Sequence, residues 1–89
     1  MRNERLAKVT REHVLDAARS MRAKEVQVWG VWVDIDGVRT EVPAKQLLMA
    51  AANLVNSDAQ RVTPADLIPH TAVRKLRKLG FEVTYHEDM

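Results

Sequence analysis

Apolar positions change their period along the chain, and the changes mark the elements. Val14, Ala18 and Met21 recur at helical spacing with Leu15 beside them, while Arg11, Glu12, Arg19 and Arg22 fall mostly outside that stripe. This predicts an amphipathic helix over 11–23 with Thr10 as its N-cap. The first nine residues either extend it through Leu6 and Val9 or fray. From Val26 to Ile35, β-branched and aromatic residues dominate, which predicts a strand. Asp36-Gly37 suits the centre of a type I′ turn, where both residues need positive φ, and Val38 to Val42 return. That turn sets Ile35 against Val38, Asp34 against Arg39, Val33 against Thr40 and Val31 against Val42. Trp29, Val31, Val33, Ile35, Val38 and Val42 then share one face, and Asp34 meets Arg39 as a charge pair on the other. Gly30 marks a bulge or the start of the strand.

Pro43 suits the first position of a helix. Gln46, Leu47, Leu48, Ala50, Ala51, Leu54 and Val55 make a strongly apolar helix over 44–55, ended by Asn56-Ser57-Asp58. Thr63-Pro64-Ala65-Asp66 reads as the capped start of a short helix carrying Leu67 and Ile68, and Pro69 breaks it. Thr71 caps a further helix that turns Val73, Leu76 and Leu79 inward and stops at Gly80. Phe81, Val83 and Tyr85 alternate with Glu82, Thr84 and His86 in a closing strand beside the hairpin. The expected fold class is α+β: a small single domain over 1–89, of order α-β-β-α-α-α-β. A three-stranded antiparallel sheet is packed by helices, and the C-terminal half is winged-helix-like. Its expected core joins Ile35, Val38, Leu48, Ala51, Leu76, Leu79 and Phe81. Residues 1–9 and 86–89 are the candidates for flexible ends.

Composition narrows the function classes. The chain is 46% hydrophobic and 29% charged over 89 residues, ordinary globular material. A chain this short leaves few residues for a pocket once a core is filled, so an interaction module is expected rather than an enzyme. With no cysteine there is no disulfide, no thiolate nucleophile and no zinc-binding thiolate. No apolar run approaches the roughly 20 residues of a membrane span, and the polar first ten residues hold no signal-peptide core; a soluble, cytoplasmic setting is expected. Net charge is only +2, but it is segregated. Residues 1–25 and 61–80 are basic blocks, whereas the hairpin and the last nine residues are acidic. Local basic density draws a polyanion more than the net value does.

The C-terminal unit carries the most chemistry. A short capped helix from Thr63 to Ile68, a tight turn at Pro69-His70 and a basic helix read as a helix-turn-helix, followed at once by a strand as in winged variants. Its second helix would enter the major groove of double-stranded DNA, with His70, Thr71, Arg74 and Lys75 nearest the bases. Arg77 and Lys78 would meet phosphates; a favourable interaction with the helix C-terminus would also account for those two. Lys45 sits in the first turn of its helix, where a cation opposes the dipole. A phosphate or an acidic partner accounts for it, as does a nearby carboxylate such as Glu41 or Asp66. Trp32 points away from the core face, next to Glu41. It is either a contact for a partner or a stacked base, or it is packed under the N-terminal helix. His13, His70 and His86 are dispersed, so no metal site is expected. Asp34 and Asp36 suit turn chemistry, and no phosphate loop or nucleophile motif is present. No catalytic residue and no cofactor are expected.

The order of these motifs resembles the N-terminal head domain of McrA-like HNH restriction endonucleases, which cut modified DNA. The residues that carry the resemblance are Asp36-Gly37, Lys45, Leu48, Ala50-Ala51, Thr63, Ala65-Asp66-Leu67, Val73-Arg74, Leu76, Leu79-Gly80-Phe81 and Val83, most of residues 10–84. The chain departs from that pattern in lacking an aromatic soon after Asp36-Gly37 and a Gly-Gly turn near Ile68-Pro69-His70. Without nuclease or modified-base domains, cleavage does not carry over. The resemblance implies an accessory DNA-facing or domain-docking module standing alone. The alternative expectation is a protein-interaction module (inhibitor, adaptor or detached regulatory subunit) that uses the hairpin and Trp32. Base specificity and oligomeric state are left open.

Overall fold

The computed structural model describes residues 4–21, 26, 28–56, 62 and 67–86. Over these the chain forms α1 (Glu4–Ala7), α2 (Arg11–Ser20), β1 (Trp29–Ile35), β2 (Val38–Pro43), α3 (Ala44–Val55), α4 (Pro69–Lys78) and β3 (Glu82–Tyr85). The strands make one antiparallel sheet in the order β2-β1-β3. The helices cover the face that carries Val31, Val33 and Val42. The fold is α+β, as the periodicity predicts. No described helix is long and apolar enough to cross a membrane.

Local chemistry explains each boundary. Thr10 is extended and starts α2 through a reciprocal cap: its hydroxyl accepts from the His13 N–H, and its own N–H donates to His13 Nδ1 at 3.0 Å. His13 thus fills the place usually taken by Glu or Gln in a capping box. This cap also separates α2 from α1, so Leu6 reaches the core from a short helix of its own and Val9 from the link that follows it. The helix ends at Ser20, short of the expected 23. Ser20 Oγ donates to the Ala17 carbonyl at 3.0 Å, and Met21 turns extended and packs partly against the core.

Asp36 (φ 53°) and Gly37 (φ 83°) both lie in the left-handed region, as a type I′ turn requires. The register is the expected one, from Ile35 opposite Val38 to Val31 opposite Val42. Depth differs from expectation at the tip: Val38 is 63% exposed, because the hairpin runs past its helical cover, while Ile35 is partly buried. Of the other residues expected in the core, Leu48, Ala51, Leu76 and Phe81 are buried and Leu79 packs partly against them. Pro43 ends β2 and serves as N-cap of α3 rather than as its first residue. Buried alanines on α2 (Ala17, Ala18) and α3 (Ala51, Ala52) line the two helices that pack together.

The start of α4 departs from the expected turn. Pro69 is its first residue, so Pro69 and His70 are helical and Ile68, not Thr71, is the N-cap. A proline there has no N–H bond to lose. The Thr63–Asp66 part of the expected short helix lies outside the described residues, and Leu67 and Ile68 are not helical. At the other end, Gly80 (φ 94°) donates to the Arg77 carbonyl and Phe81 N–H to the Leu76 carbonyl. These two bonds make a Schellman cap, and β3 leaves from it to pair with the first half of β1.

Candidate nucleic-acid interface

The outward face of α4 is basic. Its buried side is Ala72, Val73 and Leu76; His70, Arg74, Arg77 and Lys78 are exposed, and Thr71 and Lys75 are half-buried. Helical spacing puts Arg74 and Lys78 near the middle of the exposed face, with His70 and Arg77 on one flank and Lys75 on the other. The helix contains no acidic residue. The predicted site residues of this helix therefore share one surface, although Lys75 stands apart from the His70–Arg77 flank.

That flank meets aromatic rings that the sequence reading assigned to the core and to the closing strand. Trp29 lies along it: its ring centroid is 6.0 Å from that of His70, and the Arg77 guanidinium sits 5.9 Å from the indole. Tyr85, opposite Trp29 in the β1–β3 register, packs on the indole at 4.8 Å and is 58% exposed. Sheet register alone could have signalled the Trp29–Tyr85 pair. Their place beside α4 depends on tertiary packing.

Lys45 belongs to the same end of the molecule. It lines a cleft of about 300 Å³ with Val28, Trp29, Pro43, Ala44, Gln46 and Pro69. Of the two carboxylates weighed as its partner, Glu41 pairs elsewhere and Asp66 lies outside the described residues. The helices α3 and α4 both start at this cleft. Neither N-cap residue, Pro43 or Ile68, gives a capping side-chain bond, and neither first turn holds an acid.

The opposite face of the sheet explains Trp32 and Gly30. Trp32 is half-buried; its indole N–H donates to Thr84 Oγ1 at 3.0 Å, and Arg39 stacks 5.3 Å above its ring. Arg39 pairs with Glu82 on β3 rather than with Asp34 opposite it. Glu41 reaches over the central strand to His86, with Oε2 2.5 Å from Nε2. Gly30 makes this possible, because a Cβ there would overlap the Glu41 carboxylate. Gly30 is neither a bulge nor the start of β1: it pairs in register with Pro43 and Thr84.

Arg11, part of the N-terminal basic block, does not join the α4 surface. It donates to the Leu79 carbonyl at 3.1 Å and stacks 4.4 Å from Phe81, at the far end of α4 from Lys45. Among the described residues, no group of three or more His, Asp or Glu is placed to hold a metal ion.

Comparison with family models, with curated proteins and with solved structures finds no match to this chain.

Proposed function

We propose that the protein is a small DNA-binding accessory module, without catalysis of its own, that lays α4 against a duplex. The observation that supports this most is the unbroken basic face of α4, with Arg74 and Lys78 at its centre and no carboxylate in the helix. A helix end attracts Lys and Arg through its dipole, which suffices for the last turn, but Arg74 stands a turn earlier. Arg74, with His70 and Thr71 before it, would lie toward base edges. Arg77, Lys78 and Lys45 would take phosphates, and Lys75 would contact the backbone from its own flank. Winged-helix character, a cytoplasmic setting and a role beside restriction of modified DNA belong to this proposal through the resemblance to McrA-like head domains.

A protein-interaction module is the second reading. Its support is the sheet face around Trp32, although Arg39 and Thr84 already engage that indole. Titration of labelled duplex DNA at two salt concentrations separates the two. The DNA reading expects binding that weakens steeply with salt, since each phosphate contact releases a counterion. Absence of duplex binding at low salt, with a folded protein, would turn the assignment to the second reading.

A further inference from the structure

The cleft beside α4 holds an aromatic residue, Trp29, that the duplex reading leaves unused. Trp29 and Lys45 both line it. Tyr85 and His70 pack against the same indole and Arg77 stacks near it, so the ring is held from several sides. At about 300 Å³ the cleft is at the small end of ligand-binding pockets, suited to one planar ring rather than to a duplex.

From these residues we infer that the cleft takes one unpaired nucleobase of a nucleic-acid strand, stacked on Trp29, with its phosphate held by Lys45. This inference extends the proposed DNA surface and rests on it for orientation, because the cleft opens at the first turn of α4. The chemistry is general. Every base has a π-face, so stacking on an indole accepts any base, and the cations select the phosphate beside it. A strand leaving a duplex bound along α4 would pass His70 and Pro69 and reach the cleft. The ligand class is thus a junction between paired and unpaired strand, such as a frayed or overhanging end.

The test uses the full chain in the Trp32→Phe variant, where Trp29 is the one remaining tryptophan and reports on the cleft by fluorescence. The probes are a blunt duplex, the same duplex with a short thymine overhang, and a thymine octanucleotide. The overhang duplex is expected to quench Trp29 and to bind about tenfold more tightly than the blunt one, the order of one stacked base. Lys45→Ala and, separately, Trp29→Leu should remove that preference, with circular dichroism confirming that each variant folds. Should Trp29→Leu fail to fold, the Lys45→Ala comparison and the quench itself still decide. Equal binding of blunt and overhang duplexes with no quench overturns the cleft assignment and leaves the duplex reading standing. Quenching by the octanucleotide without any duplex binding supports the cleft and overturns the duplex reading. No response to any probe overturns both.

Discussion

Arg11 shows how one side chain ties distant parts of the chain together. Its guanidinium gives a hydrogen bond to the carbonyl of Leu79, the C-cap of α4, and lies on the Phe81 ring, so α2 is held to the α4–β3 turn. A cation at a helix C-terminus and an exposed cation–π contact each contribute up to about 1 kcal/mol. Arg11→Ala should therefore lower unfolding stability by about 1–2 kcal/mol, read by urea denaturation. Arg19→Ala, which breaks an exposed pair with Asp16, should cost less than about 1 kcal/mol. Equal losses would mean that the Arg11 contacts contribute nothing special. Gly30 makes a second residue-scale prediction. Gly30→Ala should push the Glu41 carboxylate off the central strand and separate it from His86, while the β1–β2 and β1–β3 registers persist. A two-dimensional NMR spectrum should show change concentrated at Glu41, His86 and their strand neighbours. An unchanged His86 ring environment would contradict the role given to Gly30.

The elements differ in how much of them local sequence reveals. The hairpin register, the bounds of α3 and the glycine cap of α4 follow from short-range chemistry: positive φ at Asp36-Gly37, an extended N-cap proline at Pro43, and a left-handed stop at Gly80. Pro69 is ambiguous by nature. The missing N–H that breaks a helix also suits its first turn, and only the packing of Ala72, Val73 and Leu76 decides which side the helix takes. Alternation assigned Val38 to the right face but not its depth, since depth depends on how far the helices reach. The predicted residues of α4 fall on one surface because one helix carries them all. Lys45 joins them, and Trp29 and Tyr85 border them, through contacts between elements far apart in sequence. The same distance hid Glu41–His86 and Arg11–Leu79, while Asn53 clamps Val62 nine residues on, whose N–H and C=O both bond to the Asn53 amide. For α4 itself the buried side is decisive. Leu76 is fully buried and its carbonyl accepts the Phe81 N–H in the Schellman cap, so Leu76→Ala should cost about 2–5 kcal/mol in chemical denaturation. A change below about 0.5 kcal/mol would mean that α4 is not packed on this side.

At the scale of the whole molecule, the charge that looked like two basic blocks resolves into different uses. Arg11 is consumed at the C-terminal end of α4 and Arg19 pairs with Asp16, whereas the α4 cations face outward as one surface bordered by Trp29 and Tyr85. Function, on this account, lies where the fold brings rings beside the cations of a helix that itself carries no carboxylate. The measurement that tests it most directly is duplex affinity as a function of salt for the natural sequence and for Arg74→Ala/Lys78→Ala, with folding confirmed in both. The account predicts affinity that falls as salt rises, and a double variant that binds more weakly, with a salt slope shallower by about one unit for the phosphate contact of Lys78. A folded double variant with the same affinity and the same slope would contradict it.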